Sequence, residues 1–416
     1  MQVSSSRSLW QQSAFRWLWG GQTASIFGDR ITDIALPWLI IQQTHSPFDA
    51  GLIVAARYLP IVSFGVIAGV LADRLDRRVV MIFSDVIRAI GLIGVVLSAL
   101  VWHYVALWLL VIVVLLLGIG QLGFQVSYYA WIPDVVSEES VVNATAALEA
   151  SDAISTLTGP ALGGILIQLV GAALSLAADA FSYVISAISI SVISVPKAIA
   201  SETVPHTEEP TTARQAWKEA FQGVQYILHS TEQRLLSGVG IIIYVSSASI
   251  GVLLVTLVQL QLHLPSWQAG LIFGAAGAGG LISSFFAPRL LQIGWQKAIA
   301  VAMCIAGMGA FGLIIAVVVH QSLSSFIIAV GANLCLDGGV SLAFIITGTT
   351  STILTPRPLR GRVFAAGTIY SASIRGLSLI AVAAIIANGN PVPAFVAISA
   401  GYFVTAYAAW RGRVSR

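Results

Sequence analysis

Apolar residues run along this chain in long unbroken blocks separated by short polar breaks, with no alternation at every second position. An α-helix of about 20 apolar residues crosses the roughly 30 Å hydrocarbon core of a bilayer. Blocks of that length fall at 15–41, 49–71, 80–101, 105–127, 145–169, 173–195, 235–259, 267–291, 298–319, 324–348, 363–387 and 391–410, and they predict twelve membrane-spanning helices. A membrane barrel would need strands that alternate lipid-facing and lumen-facing residues. The expected fold is therefore an all-α membrane protein. Residues 196–234 form the only long polar segment, with Pro196, Pro205 and Pro210 and a cluster of Glu and Thr. It reads as a cytoplasmic linker between an N-terminal six-helix bundle, 1–195, and a C-terminal one, 235–416. Its later part, ARQAWKEAFQGVQYIL, spaces Trp217, Phe221 and Tyr226 for an amphipathic helix along the membrane surface.

The two halves also repeat. SPFDAGLIVAA at the start of the second block recurs as PSWQAGLIFGAAG at the start of the eighth, and ADRL at 72–75 recurs as APRL at 287–290. Such a duplication is how many secondary transporters place a site at the midplane between two rocking bundles.

Composition agrees with the pattern: 57% of residues are hydrophobic and 9% charged, with mean hydropathy +0.88, whereas soluble domains carry about a quarter charged residues. The first block is too long for a signal-peptide core and has no small-residue cleavage site ahead of its charged middle, so it is expected to stay attached. Arg and Lys sort by loop. Arg16, Arg74, Arg77, Arg78, Lys197, Arg214, Lys218, Arg234, Arg289, Lys297, Arg357, Arg360, Arg362 and Arg411 fall on one side, and the opposite loops carry none. Cytoplasmic loops collect these residues, so both termini are expected in the cytoplasm of a cell that holds the chain in its inner or plasma membrane.

Several chemistries have no foothold. Cys304 and Cys335 lie within blocks and offer neither a disulfide framework nor metal spacing. His45, His103, His263 and His320 fall at the ends of blocks, where interfacial anchoring is expected. The three lysines, Lys197, Lys218 and Lys297, follow no glycine in a phosphate-loop pattern, and no His/Glu spacing suits a membrane hydrolase. An enzyme, an ATP-driven pump, a cofactor, a bound metal and a nucleic-acid partner are all disfavoured.

The remaining puzzle is FGDRITDIALPW, which places Asp29, Arg30 and Asp33 midway along the first block. A charge at the bilayer centre costs on the order of 3 kcal/mol, and such residues usually face a bundle interior or an aqueous cavity. Depth along a helix puts Asp29 and Arg57 at a similar level, roughly 20 Å from the inner end, which predicts an Asp29–Arg57 pair. Arg30 and Asp33, three apart, are expected to pair locally. Asp337 and Arg375 form the corresponding expected pair in the second half, more structural than functional. Asp85, Arg88, Glu149 and Asp152 lie nearer the inner end and are expected in a gate network, and Asp179 is expected to be structural.

Two motifs then carry a resemblance. GVLADRLDRR at 69–78, with Gly69, Asp73, Arg74, Arg77 and Arg78, resembles the signature loop of the major facilitator superfamily, although Asp76 stands where many members have glycine. TGPALGG at 158–164, with Gly159, Pro160, Gly163 and Gly164, resembles the motif that marks exporters of that superfamily. IPDVVSEESVVNATAA, PRPLRGRVFAA, DRITDIALPW and DAFSYVISA resemble its branch of enterobactin exporters and macrolide efflux proteins. The resemblance implies a loop that locks the inner gate through ion pairs, and a helix-5 surface that packs on helix 8, where GAAGAGG at 274–280 offers a partner. It implies a monomeric, proton-coupled antiporter that exports amphipathic small molecules, of drug or siderophore type, by alternating access. Asp29 or Asp33 would carry the proton, with an affinity set by burial and by an arginine that comes and goes. An importer or uniporter of the same fold is the alternative, and a non-transporting scaffold ranks below it.

Overall fold

A computed structural model describes residues 9–72, 75–136, 140–193, 213–319, 322–356 and 359–411. Its long helices are α1 Ser13–Thr44, α2 Pro47–Ala55, α3 Leu59–Ala72, α4 Arg77–Trp102, α5 Leu107–Val135, α6 Val141–Val170 and α7 Ala172–Val192, followed by α8 Ala213–His229. A second series comprises α9 Thr231–Thr256, α10 Ser266–Leu291, α11 Trp295–Val319, α12 Ser322–Leu354, α13 Arg360–Ile385 and α14 Val392–Arg411. α2 and α3, joined by a 3-10 turn at Ala56–Tyr58, make one crossing.

Among the described residues, eleven crossings are long and apolar enough to span a membrane. The twelfth is α1, 32 residues long, which carries Arg16, Gln22, Asp29, Arg30 and Asp33 and is correspondingly more polar. The twelve form two groups of six with matching internal contacts. The first crossing packs on the fifth, the second on the fourth and the third on the sixth; likewise the seventh packs on the eleventh, the eighth on the tenth and the ninth on the twelfth. The sequence repeat is thus a repeat of packing.

Two helices outrun their apolar blocks. α5 continues to Val135 and α12 to Leu354, beyond the expected ends at 127 and 348. A helix satisfies its own backbone whatever its side chains, so the polar and aromatic stretches SYYAWIPDV and TGTTSTIL stay helical where hydropathy fades. α8 falls where the amphipathic helix was expected. Its Tyr226 donates a hydrogen bond to the Leu354 carbonyl at 3.2 Å, and Phe221 is exposed; the side chain of Trp217 lies outside the described residues.

The start of α1, the end of α14, and the facing ends of α3 and α4 and of α5 and α6 lie on one side of the bundle, the terminal side; the other is the far side. His45, His103 and His263 end far-side helices in the left-handed region, with φ of 53°, 51° and 49°. This is a turn role where interfacial anchoring was expected, and His320 lies outside the described residues. Cys304 is partly buried and Cys335 exposed, both unbonded.

Candidate functional site

The middle of α1 is the most heavily bonded polar stretch in the first bundle. Asp33 accepts from Arg57 Nη1 at 3.0 Å and lies 3.7 Å from Arg30 Nη1. Arg30 Nη2 reaches Asp152 of α6 at 2.8 Å, while its Nε is buried without a partner. Arg57, held in the 3-10 turn, also donates from Nε to Gln121 of α5 at 3.0 Å. Three helices and a turn are therefore tied through a chain that runs Gln121, Arg57, Asp33, Arg30, Asp152. The expected Asp29–Arg57 pair is absent: Asp33, one turn further along α1, is the carboxylate at the level of Arg57, and Asp29 accepts from Tyr183 Oη of α7 at 2.5 Å. The local Arg30–Asp33 pair forms as expected.

Behind this stretch lies a second polar layer. Arg88 of α4 donates to Asp85 at 2.5 Å and to the Ser84 carbonyl at 3.2 Å. Its guanidinium stacks over the rings of Tyr183 at 4.1 Å and Phe124 at 5.0 Å. Gln22 donates to Ser186 at 2.9 Å, and Asp179 is wholly buried against Thr32 and Ser182. Asp85 and Arg88 thus bond each other in the bundle core, and Asp152 bonds Arg30; the described contacts tie none of them to the 73–78 loop.

A half-open cavity of about 270 Å³ adjoins this layer. Its walls are the terminal-side halves of α1, α5 and α6, with Asp29, Glu149 and Asp152 as acids, Gln121 and Gln125 as amides, and Phe124, Tyr128 and Tyr129 as aromatic surface. Phe124 and Tyr128 stack at 5.6 Å. Such walls give a solute both apolar contact and a few fixed polar partners.

The second bundle is different. Asp337 of α12 accepts a hydrogen bond from the Ser341 hydroxyl at 3.4 Å, and Arg375 of α13 lies over the Tyr244 ring at 5.3 Å. The expected Asp337–Arg375 pair does not form. Similar depth fixes only one coordinate; Asp337 faces α10, where a Cβ on Gly280 would lie 3.7 Å from its Oδ2, and Arg375 turns to the aromatic face of α9.

The terminal-side loop is partly described. Arg77 donates to Asp134 at 3.1 Å and to the Ala130 carbonyl at 2.9 Å, tying α4 to the end of α5. Arg78 donates to the Ser191 carbonyl of α7. Asp76 caps α4, accepting from the backbone N–H of Arg78 at 2.9 Å and Val79 at 3.4 Å with φ −63°. An N-cap carboxylate at ordinary φ needs no glycine. Gly69 sits in α3, and Asp73 and Arg74 lie outside the described residues.

α6 meets α10 along a glycine seam, as the helix-5 motif implied, but through only part of each glycine cluster together with Gly270. A Cβ on Gly164 would fall 2.4 Å from the Ser266 carbonyl oxygen, one on Gly270 2.6 Å from that of Pro160, and one on Gly277 2.5 Å from Leu157 Cα. Gly159 and Gly163 instead face α1, where their Cβ atoms would meet Arg30 Cβ at 2.7 Å and Ile31 Cα at 3.3 Å. Pro160 lies within an unbroken α6. Of GAAGAGG, Gly274 and Gly277 turn to α6, while Gly279 and Gly280 turn to α12. Towards the far side the bundles also join through Gln259 to the Trp38 carbonyl at 3.3 Å and Ser266 to Gln168 at 3.2 Å.

Tyr183, Gln121 and the Arg30–Asp152 bridge escaped the sequence reading. Gln121, a polar residue inside LLLGIGQLGF, was a visible signal. Tyr183 was not, because tyrosines are common in apolar helices.

Residues 18–379 match the sequence model of the Major Facilitator Superfamily. The chain is 27% identical over 184 residues to macrolide efflux protein A of Streptococcus pyogenes, covering 44% of this chain and 45% of that protein. It is 29% identical over 186 residues to the multidrug efflux pump Tap of Mycolicibacterium fortuitum, covering 44% and 45%. Each alignment thus spans less than half of the relative's length. A bacterial homologue of the iron transporter ferroportin, in an inward-facing state, superposes over 98% of this chain and 100% of its own with a TM-score of 0.70 at 17% identity.

Proposed function

Because the chain belongs to the Major Facilitator Superfamily, and is a multi-pass membrane transporter rather than an enzyme, we propose that it is a proton-coupled exporter of amphipathic small molecules, of drug or siderophore type. Residues 1–195 and 235–416 are the units that rock about the seam, and 196–234 tethers them. The observation that carries the reading is the shared Asp33 carboxylate, held by Arg57 at 3.0 Å and faced by Arg30 at 3.7 Å, beside a cavity lined by Asp29. A carboxylate between two arginines can exchange one for the other, or take a proton once both have moved away, so that its own charge is not left unpaired.

In the proposed cycle the cavity takes solute from the cytoplasm, which is the terminal side by the distribution of Arg and Lys. Glu149, Asp152 and the Tyr128–Tyr129 surface receive it, and Arg30 lets go of Asp152 as the solute binds. Rocking across the α6–α10 seam then opens the far side, where Asp29 or Asp33 takes up the proton that returns with the cycle. The efflux function printed for the relatives supports export, and the aromatic lining supports an amphipathic solute. Protons are the coupling ion, no cofactor takes part, and one chain is the working unit.

Proteoliposomes with an inside-acid pH gradient test this. Wild type is expected to accumulate a lipophilic dye or a siderophore against its own gradient; Asp29→Asn or Asp33→Asn is expected to lose accumulation while still binding. Accumulation that survives both substitutions overturns the assignment of these two acids.

A further inference from the structure

Asp179 of α7 is an acid that the cycle above leaves unused, and its surroundings are unusual. It is 0% exposed. Among the described residues no cation lies within ion-pair distance of it, whereas Asp33, Asp85, Asp134 and Asp152 each have an arginine. Its carboxyl is held by hydroxyls alone: Thr32 Oγ1 lies 2.5 Å from Oδ2, and Ser182 Oγ lies 3.0 Å from Oδ1.

Counting hydrogens shows that the neutral acid fits this pocket. A hydroxyl has one hydrogen to give and two lone pairs to receive with. Ser182 Oγ stands 2.8 Å from the Asp179 main-chain oxygen, closer than it stands to Oδ1. If the serine hydrogen goes to the main-chain oxygen, the Ser182 lone pairs face Oδ1, and that contact is attractive only when Oδ1 carries a hydrogen. The neutral acid gives every hydrogen one acceptor: Thr32 to Oδ2, Oδ1 to Ser182, and Ser182 to the main chain. An ionised carboxylate could accept from the same two hydroxyls, Thr32 on Oδ2 and Ser182 on Oδ1, but it would then be a fully buried charge with no countercharge among the described residues, and that, rather than the hydrogen count, disfavours it.

The other charged and titratable groups around it are already committed. On α1, Asp29 accepts from Tyr183 of α7. On α4, Arg88 is spent on Asp85 and the Ser84 carbonyl and stacks over the Tyr183 ring. On α6, Asp152 holds Arg30. The space itself is made by Gly28, whose Cβ would fall 2.4 Å from Asp179 Oδ1 and 2.2 Å from Ser182 Oγ. Gly28 adjoins Asp29 in the chain, so the buried carboxyl lies against the backbone that carries a cavity-lining acid.

We propose that Asp179 is a proton-binding site, neutral in this conformation, that exchanges its proton with Asp29 during transport. In the exchange the O–H bond on Asp179 breaks and one forms on the Asp29 carboxylate, which opens to cavity water. The exchange step rests on the proton-coupled reading above; the neutral state of Asp179 does not.

Two measurements separate them. Infrared spectra of the purified full chain in nanodiscs at neutral pH are expected to show the carbonyl band of a protonated carboxyl, with a shift in D2O. Asp179→Asn removes it, Asp29→Asn and Asp33→Asn retain it, and Ser182→Ala moves it by deleting the acceptor. The asparagine keeps an oxygen for Thr32 and an N–H for Ser182, so the variant is expected to fold with unchanged thermal stability. A wild-type spectrum identical to that of Asp179→Asn overturns the site, as does a band unmoved by Ser182→Ala. In proteoliposomes Asp179→Asn is expected to lose gradient-driven accumulation and keep downhill dye exchange; accumulation retained while the band is lost overturns the exchange step. Absence of gradient-driven accumulation in wild type defeats the proton-coupled reading and leaves the infrared result standing.

Discussion

Asp33 is where the charges of α1 acquire a purpose, because among the described residues it is the acid within ion-pair distance of two arginines. Its side chain is 43% exposed and that of Arg57 19%, so the pair is partly screened. Arg57→Gln is expected to cost on the order of 1 kcal/mol, read as a drop in melting temperature by tryptophan fluorescence. A double-mutant cycle with Asp33→Asn should recover most of that cost as coupling. The reciprocal cycle of Arg57→Gln with Asp29→Asn is expected to give near additivity, since Asp29 bonds Tyr183 and not Arg57. Coupling to Asp29 as strong as to Asp33 would contradict the observed pairing. The sequence disclosed that these residues sit at one depth, because depth follows from the 1.5 Å rise per residue. It could not disclose the partners, because azimuth around each helix depends on how neighbouring helices are rotated. Asp337 missed Arg375 for that reason, whereas Asp29 missed Arg57 because the partner lies one turn further along α1, at Asp33.

At the scale of helices, glycine does two separate jobs in α6. Without water to drive association, membrane helices gain from close van der Waals approach, which small residues permit. Gly164 uses that approach toward α10, and Gly159 and Gly163 use it toward α1. The motif was legible as a cluster, but which neighbour each face meets was not: Gly159 and Gly163, four apart, share one face, and Gly164, one residue on, is turned about 100° from it. The split has different consequences on the two sides. Gly277→Val puts branched carbon where the Cβ position already lies 2.5 Å from Leu157 Cα, and it wedges α10 from α6. It is expected to abolish transport while the melting of each bundle changes little. Gly159→Val, by contrast, pushes into Arg30 and is expected to weaken the Arg30–Asp152 bridge and lower the melting temperature. The two variants failing in the same way would show that the glycines serve one interface.

At the scale of the whole molecule, the repeat of packing makes the contacts between the bundles come in symmetric pairs. Accordingly, the fifth crossing meets the eighth along the glycine seam, and the second meets the eleventh, where a Cβ on Gly51 would lie 2.5 Å from Ala383 Cβ. Both seams, together with the Gln259–Trp38 and Ser266–Gln168 hydrogen bonds, join the bundles toward the far side, while the cavity is walled by the terminal-side halves of α1, α5 and α6. In the proposed cycle, closure on one side and a half-open cavity walled by the other side's helix halves are what one end state of a rocking pair is expected to show. The hydropathy pattern could announce twelve crossings and their duplication, but a pattern of apolar blocks is the same in either end state. Side-specific labelling tells them apart. In a background of Cys304→Ala and Cys335→Ala, a cysteine placed by Gln125→Cys lies in the cavity wall, and one placed by Gln168→Cys lies in the far-side seam. With a membrane-impermeant thiol reagent and no solute, labelling is expected at position 125 from the terminal side and to be weak at 168 from the far side. Adding a transported dye should lower the first and raise the second together, because one rocking motion governs both. A rise at 168 with no fall at 125 would mean that the far-side seam opens by local loosening, and would defeat the rigid exchange of one closed side for the other.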